Sequence, residues 1–421
     1  MTPYDKILVE LFARQASRGM KLGVERVRLL LDAVGEPDRA YPSIIIAGTN
    51  GKGSTSAFTA QLLRAAGKRV ALYTSPHLVR FSERIQVDGQ AIPRDDVQRL
   101  YHHTLDAADV LGLEPTFFEL TTVMALQYFW ERRAEMAVLE VGLGGRLDAT
   151  NATDPAVSGI CPVDVDHLAL LGKTPSVIAV EKAGVMRAGK PAWSSVQSED
   201  VAHVLTAHAR TLGTPLRFIS EEDALRTPLG LRGPHQALNA ALAVKLVEAA
   251  GIVLTDEQRR TALQETRWPG RMEWLTHASG VRFLLDGAHN PHGMRALGVA
   301  LKAERDVVNA SRTVWMVAAS GDRDAGAMAQ QLLMGGVRAP DAIIATQARV
   351  ATAVTAARVR SALESAGLED VVDKEDPAAA VELAVRAAGG GVVIAFGSLY
   401  AIGAIRAALT GDVVDVVALS G

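Results

Sequence analysis

The chain has 421 residues, which is too long for one ordinary hydrophobic core and predicts two or three domains. Hydrophobic residues make up 48% of the chain and charged residues 22%, and the formal net charge is -3, so the composition indicates a globular enzyme and excludes a disordered or fibrous chain. A net charge this small gives no reason to expect nucleic acid as a partner. The lone cysteine, Cys161, cannot form an intramolecular disulfide, and its apolar neighbours predict a buried thiol in a reducing compartment.

The N-terminal segment mixes Asp5, Glu10 and Arg14 with apolar residues, so it lacks the uninterrupted apolar core of a signal peptide. No run reaches the roughly 20 apolar residues that a membrane helix needs. We therefore expect a cytoplasmic protein with no membrane partner. Apolar residues recur at helical spacing from Val24 to Val34, which predicts a helix that ends at Gly35.

The string SIIIAGTNGKGSTSAFTAQLLRAA, which begins at Ser43, has the pattern of a strand, a glycine-rich loop and a helix that starts near Ser54. Such a loop can bind phosphate, because backbone N–H groups, the helix dipole and the charge of Lys52 all attract an anion, while a hydroxyl can reach Mg2+. The strict pattern G-x-x-x-x-G-K-[ST] fails, because Ile46 stands at the first glycine position and Gly53 separates the lysine from the serine. A simple glycine-rich turn is the alternative interpretation.

A second strand is predicted at Val70–Tyr73, and the turn TSPHL follows it. If the strands are parallel, Ser75 and His77 lie at the same edge of the sheet as the glycine-rich loop. The next segment is either a substrate loop or a solvated surface, and its charged residues are Arg80, Glu83, Arg84 and Asp88.

Met136–Val141 predicts a buried strand that ends in a polar, glycine-rich loop. Glu140 stands at the carboxyl end of this strand, where proteins with a phosphate loop place the acid that binds Mg2+. An edge residue in a salt bridge is the alternative. The string VDVDHLALLGKT places Asp164, Asp166 and His167 at another strand end, which makes the histidine a second candidate metal ligand.

Helical patterns follow at Pro175–Gly184 and Pro234–Gly251, and a T-D-E-Q capping box at Thr255 begins another helix. Pro269 and Gly270 then interrupt regular structure, so we predict a domain boundary near residues 273–280. Beyond it, strands alternate with helices, which is the pattern of a doubly wound α/β domain. The predicted strands are Val281–Leu285, Thr313–Ala318, Ala342–Thr346, Asp370–Asp373 and Val392–Phe396. The first of these strands ends in DGAHNPH, which contains Asp286, His289 and Asn290.

Eight motifs occur in order between Lys21 and Tyr400, namely GTNGKGS, TSPHL, EVGLGGRLDATN, DHLALLGKT, EKAG, HQALNA, WPGRME and DGAHNPHG. This set resembles the folylpolyglutamate synthase and dihydrofolate synthase family of Mur-type ligases. The resemblance implies an α/β fold with a P-loop-containing Mur-ligase-like ATPase domain at residues 1–275 and a smaller, doubly wound, Rossmann-like domain at residues 276–421. It also implies ATP-dependent activation of a carboxylate as an acyl phosphate, which the amino group of L-glutamate attacks to form an amide, ADP and phosphate.

The resemblance further implies which residues hold ATP and Mg2+. The ATP contacts would be Thr49, Asn50, Gly51, Lys52, Gly53, Ser54, Asn239, Arg271 and Asp286, and the metal ligands would be Ser75, Glu140 and His167. Phosphoryl transfer to a carboxylate brings two anions together, so Mg2+, Lys52 and Arg271 would neutralise charge while a closing second domain excludes water. A monovalent cation such as K+ is a further candidate cofactor.

The remaining implied residues bind the folate or take part in the reaction. Lys182 matches a lysine that the family carries as a carbamate, whereas an ordinary surface lysine paired with Glu181 or Asp164 is the alternative. His289 matches a histidine needed for activity, and with Lys52 and Lys182 it completes the candidate catalytic set. The predicted folate pocket consists of Lys21, Leu22, Thr116, Phe117, Phe118, Glu119, Arg146, Leu147 and Asp148.

The expected partners are small molecules, namely dihydropteroate, reduced folates and L-glutamate, and we expect a monomer. The strings RLD and TFFE favour an enzyme with both synthase activities. Another Mur-type ligase that acts on a peptidoglycan precursor remains an alternative, although TSPHLVRFSER and PTFFE argue against it. A P-loop kinase or NTPase would share Lys52 and Glu140 but would need neither the second domain nor the EKAG lysine. A non-catalytic nucleotide-binding regulator is the last alternative.

Overall fold

The computed structural model describes residues 1–18, 23–166 and 171–415. The chain divides into two compact units. Unit 1 contains Met1–His77, Phe81–Gly230 and Gln236–Arg267, and unit 2 contains Leu78–Arg80, Leu231–His235 and Trp268–Gly421. Among the described residues, no helix combines the length and the apolar character that crossing a bilayer would require.

Unit 1 is built around a sheet of eight strands in the order β4-β3-β2-β5-β1-β6-β7-β8. These strands are β1 Ser43–Ala47, β2 Val70–Tyr73, β3 Ile85–Val87, β4 Gln90–Ala91, β5 Met136–Glu140, β6 Val157–Ile160, β7 Ala192–Ser194 and β8 Leu216–Phe218. Its helices are α1 Pro3–Arg18, α2 Glu25–Ala33, α3 Lys52–Ala65, α4 Arg94–Val110, α5 Phe117–Glu131, α6 Pro175–Ala183, α7 Glu199–Leu212, α8 Gln236–Ala249 and α9 Asp256–Glu265.

The centre of this sheet is parallel, and its carboxyl edge carries the glycine-rich loop, Ser75 and Glu140. Strand β1 runs parallel to both β5 and β6, and β2 runs parallel to β5. All five residues of β1 are buried, as expected for a strand whose β-branched side chains are covered on both faces. The loops after β1, β2, β5 and β6 therefore leave the sheet at one edge, which confirms the prediction made for Ser75 and the glycine-rich loop.

The charged segment after β2 is not a uniformly solvated surface. It forms a short 3-10 turn, Phe81–Arg84, and then the antiparallel pair β3 and β4. Arg84 is 2% exposed, and its Nε donates a hydrogen bond to Nδ1 of His77 at 2.8 Å. This arginine therefore holds the turn that carries Ser75, because its carbonyl oxygen also accepts from the N–H of Thr74 at 2.9 Å.

Unit 2 contains a six-stranded sheet in the order β13-β12-β11-β14-β10-β9. The strands are β9 Glu273–Thr276, β10 Arg282–Leu285, β11 Thr313–Val317, β12 Ala342–Ala345, β13 Val371–Asp373 and β14 Val392–Phe396. The helices are α10 Pro291–Ala303, α11 Arg305–Val308, α12 Ala325–Met334, α13 Ala356–Ser365, α14 Pro377–Ala388 and α15 Leu399–Thr410.

Both faces of the second sheet are covered, which is why its central strands β11 and β14 are buried along their whole length. Along β11, Trp315 and Val317 pack in one apolar cluster, whereas Val314 and Met316 pack in another on the opposite face. The first cluster includes residues of α10, α12 and α13, and the second includes residues of α14 and α15. This arrangement confirms the predicted doubly wound fold.

The predicted domain boundary at residues 275 and 276 lies inside β9. This strand pairs with β10 in an antiparallel register, with Leu275 opposite Phe283, so it belongs to the sheet of unit 2. The division into compact units accordingly falls earlier, between Arg267 and Trp268. A four-residue strand with a glutamate at its start has too few alternating apolar residues to be predicted from the sequence pattern.

Helix starts were easier to predict than this boundary. Thr255 caps α9, and its side chain and that of Gln258 each accept from the other's backbone N–H, which confirms the capping box. Asp376 caps α14, where its Oδ2 accepts from the N–H of Ala379 at 3.0 Å and Pro377 occupies the first helical position.

Candidate active site

The glycine-rich loop joins β1 to α3 and is anchored to the segment after β6. The N–H groups of Thr49 and Asn50 donate to the carbonyl oxygen of Pro162 at 2.9 and 3.3 Å. The hydroxyl of Thr49 also donates to the carbonyl oxygen of Asp164 at 2.8 Å. Helix α3 begins at Lys52, two residues before the predicted start, so Lys52 and Gly53 lie in its first turn and the helix N-terminus faces the loop.

Two glycines of this loop cannot be replaced without displacing a neighbour. A Cβ on Gly48 would lie 2.5 Å from the Cβ of Cys161, and one on Gly51 would lie 2.6 Å from Oδ1 of Asn239. Both glycines also have positive φ angles, 146° and 86°. Cys161 is fully buried as predicted, and burial raises the pKa of its thiol to about 11.

The two predicted catalytic lysines of unit 1 meet at one carbonyl group. Nζ of Lys52 donates to the carbonyl oxygens of Gly48 at 3.0 Å and Thr49 at 3.2 Å, and Nζ of Lys182 donates to that of Gly48 at 2.8 Å. Lys182 is only 3% exposed. Burial, with the nearby charge of Lys52 as the next cause, lowers the pKa of Lys182 to about 7. The ammonium group of Lys52 and a readily deprotonated amine on Lys182 therefore lie at the same edge of the sheet.

Helix α6 turns Lys182 inward and its neighbour Glu181 away. The carboxylate of Glu181 accepts from Nη2 of Arg146 at 2.8 Å, and the Arg146 side chain is 52% exposed. Adjacent residues on a helix point about 100° apart, so Lys182 faces the interior while Glu181 lies at the surface. The alternative interpretation of Lys182, an ordinary surface lysine paired with Glu181 or Asp164, is therefore wrong, because this lysine is buried and donates to Gly48.

The carboxylate and the hydroxyl predicted to bind a metal lie together. Glu140 is the last residue of β5 and is 5% exposed, and its Oε2 accepts from the N–H of Ser75 at 3.2 Å. The hydroxyl oxygen of Ser75 lies 3.2 Å from the position of a Cβ on Gly142, in the loop after β5. Carboxylate and hydroxyl oxygens are hard donors that suit Mg2+, so these residues fit the ion.

His167 lies outside the described residues, so the structure does not place the third predicted ligand. Within the ranges 1–18, 23–166 and 171–415, no three histidine, cysteine, aspartate or glutamate side chains form a metal-binding group. Two of the three predicted ligands, Glu140 and Ser75, are thus brought together.

Three of the four residues in the predicted folate run Thr116–Glu119 have a structural use at the start of α5. Thr116 is the N-cap, and the backbone N–H of each of Thr116 and Glu119 donates to the other's side chain at 2.7 and 3.4 Å. Phe117 is buried and stacks on Phe12 with ring centroids 5.2 Å apart. Phe118 is only partly buried, and its Cε1 lies 3.5 Å from the position of a Cβ on Gly142. Of the two phenylalanines in this run, Phe118 is the one whose ring lies toward the candidate metal ligand Ser75.

The loop after β5 is held in shape by Asp148. Its Oδ2 accepts from the N–H groups of Gly142 and Leu143 at 3.1 and 2.9 Å, and its Oδ1 accepts from the N–H and hydroxyl of Thr150 at 3.0 and 2.6 Å. Burial raises the pKa of Asp148, although these hydrogen bonds act in the opposite direction. Four donors fill the accepting capacity of one carboxylate, so its primary action is on its own loop.

This loop is also joined to the C-terminal end of α6. The N–H of Arg146 donates to the carbonyl oxygen of Glu181 at 2.8 Å, and Nδ2 of Asn151 donates to that of Gly184 at 3.0 Å. The predicted folate residues Arg146, Leu147 and Asp148 therefore lie in one rigid segment beside Lys182. Lys21 and Leu22 fall outside the described residues.

Unit 2 brings Asp286 and Arg271 together around the start of its sheet. The carboxylate of Asp286 accepts from the N–H groups of Met272 at 3.0 Å and Ala288 at 2.8 Å, and Nη1 of Arg271 donates to the carbonyl oxygen of Gly270 at 3.2 Å. Met272 is buried with a positive φ of 46°, a conformation that its side-chain burial and the hydrogen bond to Asp286 maintain.

His289 follows these residues in the loop before α10. Its Nδ1 lies 2.7 Å from the carbonyl oxygen of Gly287, which can only accept, so Nδ1 carries a proton. Asn290 is the N-cap of α10, and its Oδ1 accepts from the N–H of Gly293 at 2.8 Å. His235 lies in the same unit, and burial lowers its pKa, with Asp286 and Arg271 among the charges that act on it.

One residue beside the glycine-rich loop of unit 1 was not among the predicted site residues. Gln236, the first residue of α8, is 1% exposed and contacts both Ser54 and Asn239. The only signal for it in the sequence is its place in the string HQALNA, three residues before Asn239. Spacing of three residues puts the two side chains on one helical face.

Comparisons with known proteins agree with this geometry. The model of the Mur ligase, glutamate ligase domain matches residues 270–399. A probable bifunctional folylpolyglutamate synthase/dihydropteroate synthase of Halobacterium salinarum is 34% identical over 418 residues, which cover 92% of this chain and 49% of that protein. The chain thus spans about half the length of this relative.

A second relative matches over a larger share of its own length. The dihydrofolate synthase/folylpolyglutamate synthase of Bacillus subtilis is 33% identical over 317 residues, which cover 68% of this chain and 73% of that protein. The crystal structure of the bifunctional folylpolyglutamate synthase/dihydrofolate synthase of Yersinia pestis, complexed with AMPPNP and a Mn ion, superimposes with a TM-score of 0.83. It is 28% identical and covers 97% of this chain and 98% of that chain. Shared sequence over most of the chain and a shared two-unit α/β fold show that this protein belongs to the folylpolyglutamate synthase and dihydrofolate synthase family of ATP-dependent Mur-type ligases.

Proposed function

We propose that this chain joins L-glutamate to dihydropteroate and to the glutamate tail of reduced folates, with ATP as the source of energy. The observation that carries the proposal is that the glycine-rich loop with Lys52 and the buried carboxylate of Glu140 lie at the same edge of the sheet, at the ends of the neighbouring parallel strands β1 and β5. ATP and a carboxylate substrate are both anions, and positive charge fixed at a water-poor edge of the sheet lowers the cost of bringing them together. An acyl phosphate formed there would react with the amino group of L-glutamate and release phosphate.

Each residue of the unit 1 site has a role in this scheme. The loop Thr49–Ser54 and Lys52 would hold the phosphate groups, since a helix N-terminus and a lysine are both present. Glu140 and Ser75 would hold Mg2+, which when bound withdraws negative charge from the phosphate oxygens. In support, the Yersinia pestis relative was crystallised with AMPPNP and a Mn ion. His167 stays a predicted third ligand, and K+ stays a predicted cofactor.

The folate would lie against Phe118 and the loop that Asp148 holds. Phe118 is the partly exposed ring of its run, and aromatic rings commonly bind flat heterocycles by stacking. Arg146 is exposed enough to reach an anionic substrate group. For Thr116, Phe117 and Glu119 we propose an indirect role, in which they fix the direction of Phe118 through the capping box and the core.

Arg271, Asp286 and His289 stay predicted contacts of unit 2. Asp286 accepts from the N–H of Met272, the residue after Arg271, so it orders the backbone next to the arginine that would contact phosphate. The Nδ1–H group of His289 donates to the carbonyl oxygen of Gly287, which orients the ring. Asn239 would contact the nucleotide from α8, and we expect a monomer in the cytoplasm.

Release of phosphate from ATP tests the proposal directly. Purified protein is assayed with dihydropteroate and, separately, with a tetrahydrofolate monoglutamate, each with and without L-glutamate. Release that requires both a pteroate compound and L-glutamate, together with the new amide product, supports the ligase. Release with ATP alone, at the same rate, would instead indicate an NTPase, and no release with either folate would point to another acceptor.

A further inference from the structure

Gln236 joins two parts of the glycine-rich loop region through its amide group. Its Nε2 donates to the hydroxyl oxygen of Ser54 at 3.3 Å, and its Oε1 accepts from Nδ2 of Asn239 at 2.9 Å. All three side chains are buried, with exposed fractions of 1% for Gln236, 2% for Ser54 and 5% for Asn239. A hydrogen bond in such surroundings is costly to leave unmade.

Asn239 also packs against the glycine-rich loop. The Oδ1 of Asn239 lies 2.6 Å from the position of a Cβ on Gly51, so the absent side chain of this glycine makes room for the amide. Gly51 and Ser54 are linked by the first turn of α3, in which the N–H of Thr55 donates to the carbonyl oxygen of Gly51 at 2.8 Å. Any movement of Gln236 would therefore act on both ends of the turn.

The direction of each hydrogen bond follows from the chemistry of the groups. Rotating the Gln236 amide alone would set its NH2 group against the NH2 group of Asn239, which cannot pair. With Asn239 oriented as in the structure, Gln236 therefore donates to Ser54 rather than accepting from it. One lone pair of the Ser54 oxygen is then occupied, and its hydroxyl proton is directed elsewhere. Phosphate oxygens are acceptors, so a hydroxyl constrained to donate is complementary to them.

We propose that Gln236 is a positioning residue that holds Ser54 as a hydrogen-bond donor and Asn239 in a fixed orientation for nucleotide binding. The inference rests on the proposed function only in assigning a nucleotide to the loop. It predicts that replacing Gln236 lowers the affinity for nucleotide more than the affinity for the other substrates.

Two substitutions separate the polarity of the amide from its shape. Gln236→Met removes both hydrogen bonds without adding charge, and affinity for Mg2+ and AMPPNP, measured by calorimetry, should fall roughly tenfold. Gln236→Glu keeps the shape but can only accept, so it draws the proton of Ser54 away from phosphate, and the loss should be larger. In turnover assays the KM for ATP should rise in both variants while the KM for L-glutamate stays unchanged.

Gln127 provides a matched control within unit 1. It is 2% exposed, lies on α5, and its Oε1 is 3.1 Å from Nδ1 of His103. Gln127→Glu introduces the same change at the same degree of burial on a different helix, so its affinity for AMPPNP should stay within twofold of the wild type. Thermal unfolding midpoints of all variants are measured without nucleotide, so that a general loss of stability is detected.

A double-mutant cycle decides between positioning and simple loss of packing. If Gln236 acts through Ser54, then Gln236→Met should lower AMPPNP affinity much less in a Ser54→Ala background than in the wild type. Independent, multiplicative losses would overturn the proposal, as would a folded Gln236→Glu variant that binds AMPPNP within twofold of the wild type. Nucleotide binding needs neither pteroate nor L-glutamate, so a wild type that binds AMPPNP but forms no amide refutes the proposed function and leaves this test valid.

Discussion

Replacing Lys182 with methionine should remove much of the pH dependence of the stability of unit 1 in alkaline solution. Burial lowers the pKa of Lys182 from 10.5 to about 7, so the unfolded chain binds a proton more readily than the folded chain does between these values. Where the unfolded state binds more protons, stability rises with pH. The folded wild type should therefore gain stability as pH increases from about 7 towards 10.5.

The size of this gain follows from the same two pKa values. With 1.36 kcal/mol for each pH unit of differential protonation, the penalty of the buried lysine is about 4 kcal/mol at pH 7 and falls to about 1 kcal/mol at pH 9.5. The wild type should thus be stabilised by about 3 kcal/mol across this interval relative to Lys182→Met, in which no group titrates at this position.

Urea-induced unfolding at pH 7, 8.5 and 9.5, with carbon dioxide removed, measures this difference. Lys190→Met is a suitable control, because Nζ of Lys190 pairs with Asp154 at 2.7 Å on the surface and this substitution should leave the pH dependence unchanged. If wild type and Lys182→Met gain or lose the same free energy of unfolding between pH 7 and 9.5, Lys182 does not titrate in this range and the reasoning from its burial is wrong.

Added bicarbonate extends this prediction to the carbamate. The neutral amine of Lys182 attacks the carbon of carbon dioxide, an N–C bond forms, one C–O π pair moves onto oxygen, and the amine proton passes to solvent. The anion so formed would face Lys52 with opposite charge, so bicarbonate should raise the free energy of unfolding of the wild type and leave that of Lys182→Met unchanged. Lys182→Ala should lose turnover, and acetate should restore part of it by filling the vacated space. Full turnover without acetate would contradict the carbamate.

Four further substitutions test the remainder of the unit 1 site. Lys52→Ala should lower turnover by roughly a hundredfold or more while leaving the far-ultraviolet circular dichroism unchanged, because the lysine contacts only loop carbonyls through its described hydrogen bonds; near-normal turnover would remove the phosphate-loop assignment. Glu140→Ala should raise the Mg2+ concentration needed for half-maximal activity, and a titration curve that overlays the wild type would show the carboxylate to be structural. Phe118→Ala should raise the KM for dihydropteroate with little change in stability, whereas Phe117→Ala, which truncates a buried ring, should cost about 3 kcal/mol of stability or more; the reverse pattern would show that the wrong ring was assigned to the folate.

The parts of the fold that were predicted from sequence are those whose signals are local. The strand Ser43–Ala47 combines β-branched residues with a following glycine loop, and the helix starts at Thr255 and Asp376 carry side chains that cap them. Each of these features is specified within about a dozen residues, so the prediction needs no knowledge of neighbours.

The features that were missed depend on contacts between distant residues. Strands β7 and β8 have three residues each, too few for an apolar period, and they exist because each pairs with a neighbouring strand. The burial of Lys182 is equally invisible in the sequence, since its partner carbonyl on Gly48 is 134 residues away. Gln236 was missed for the same reason, because its partner Ser54 is 182 residues away.

The run Thr116–Glu119 shows how a functional resemblance can hide a structural signal. The spacing T-x-x-E is that of a capping box, and in the structure both side chains serve the start of α5. Glu119 also forms a salt bridge with Arg26, in which Nη2 of the arginine lies 2.5 Å from Oε1 of the glutamate. The capping box accounts for Thr116 and Glu119, and the burial of Phe117 in the core leaves Phe118 as the partly exposed side chain of this run.

The hydrogen bonds between the loop after β5 and the end of α6 restrict how substrate preference can change. Arg146, which would face the folate, and Glu181, which precedes Lys182, are joined through both their backbones and their side chains. A substitution that reshapes this loop to admit a different pteridine would also shift the helix that carries the lysine. Laboratory evolution of new specificity should therefore tend to lower kcat before it improves selectivity, and improved variants should carry paired changes in the loop 142–150 and in α6.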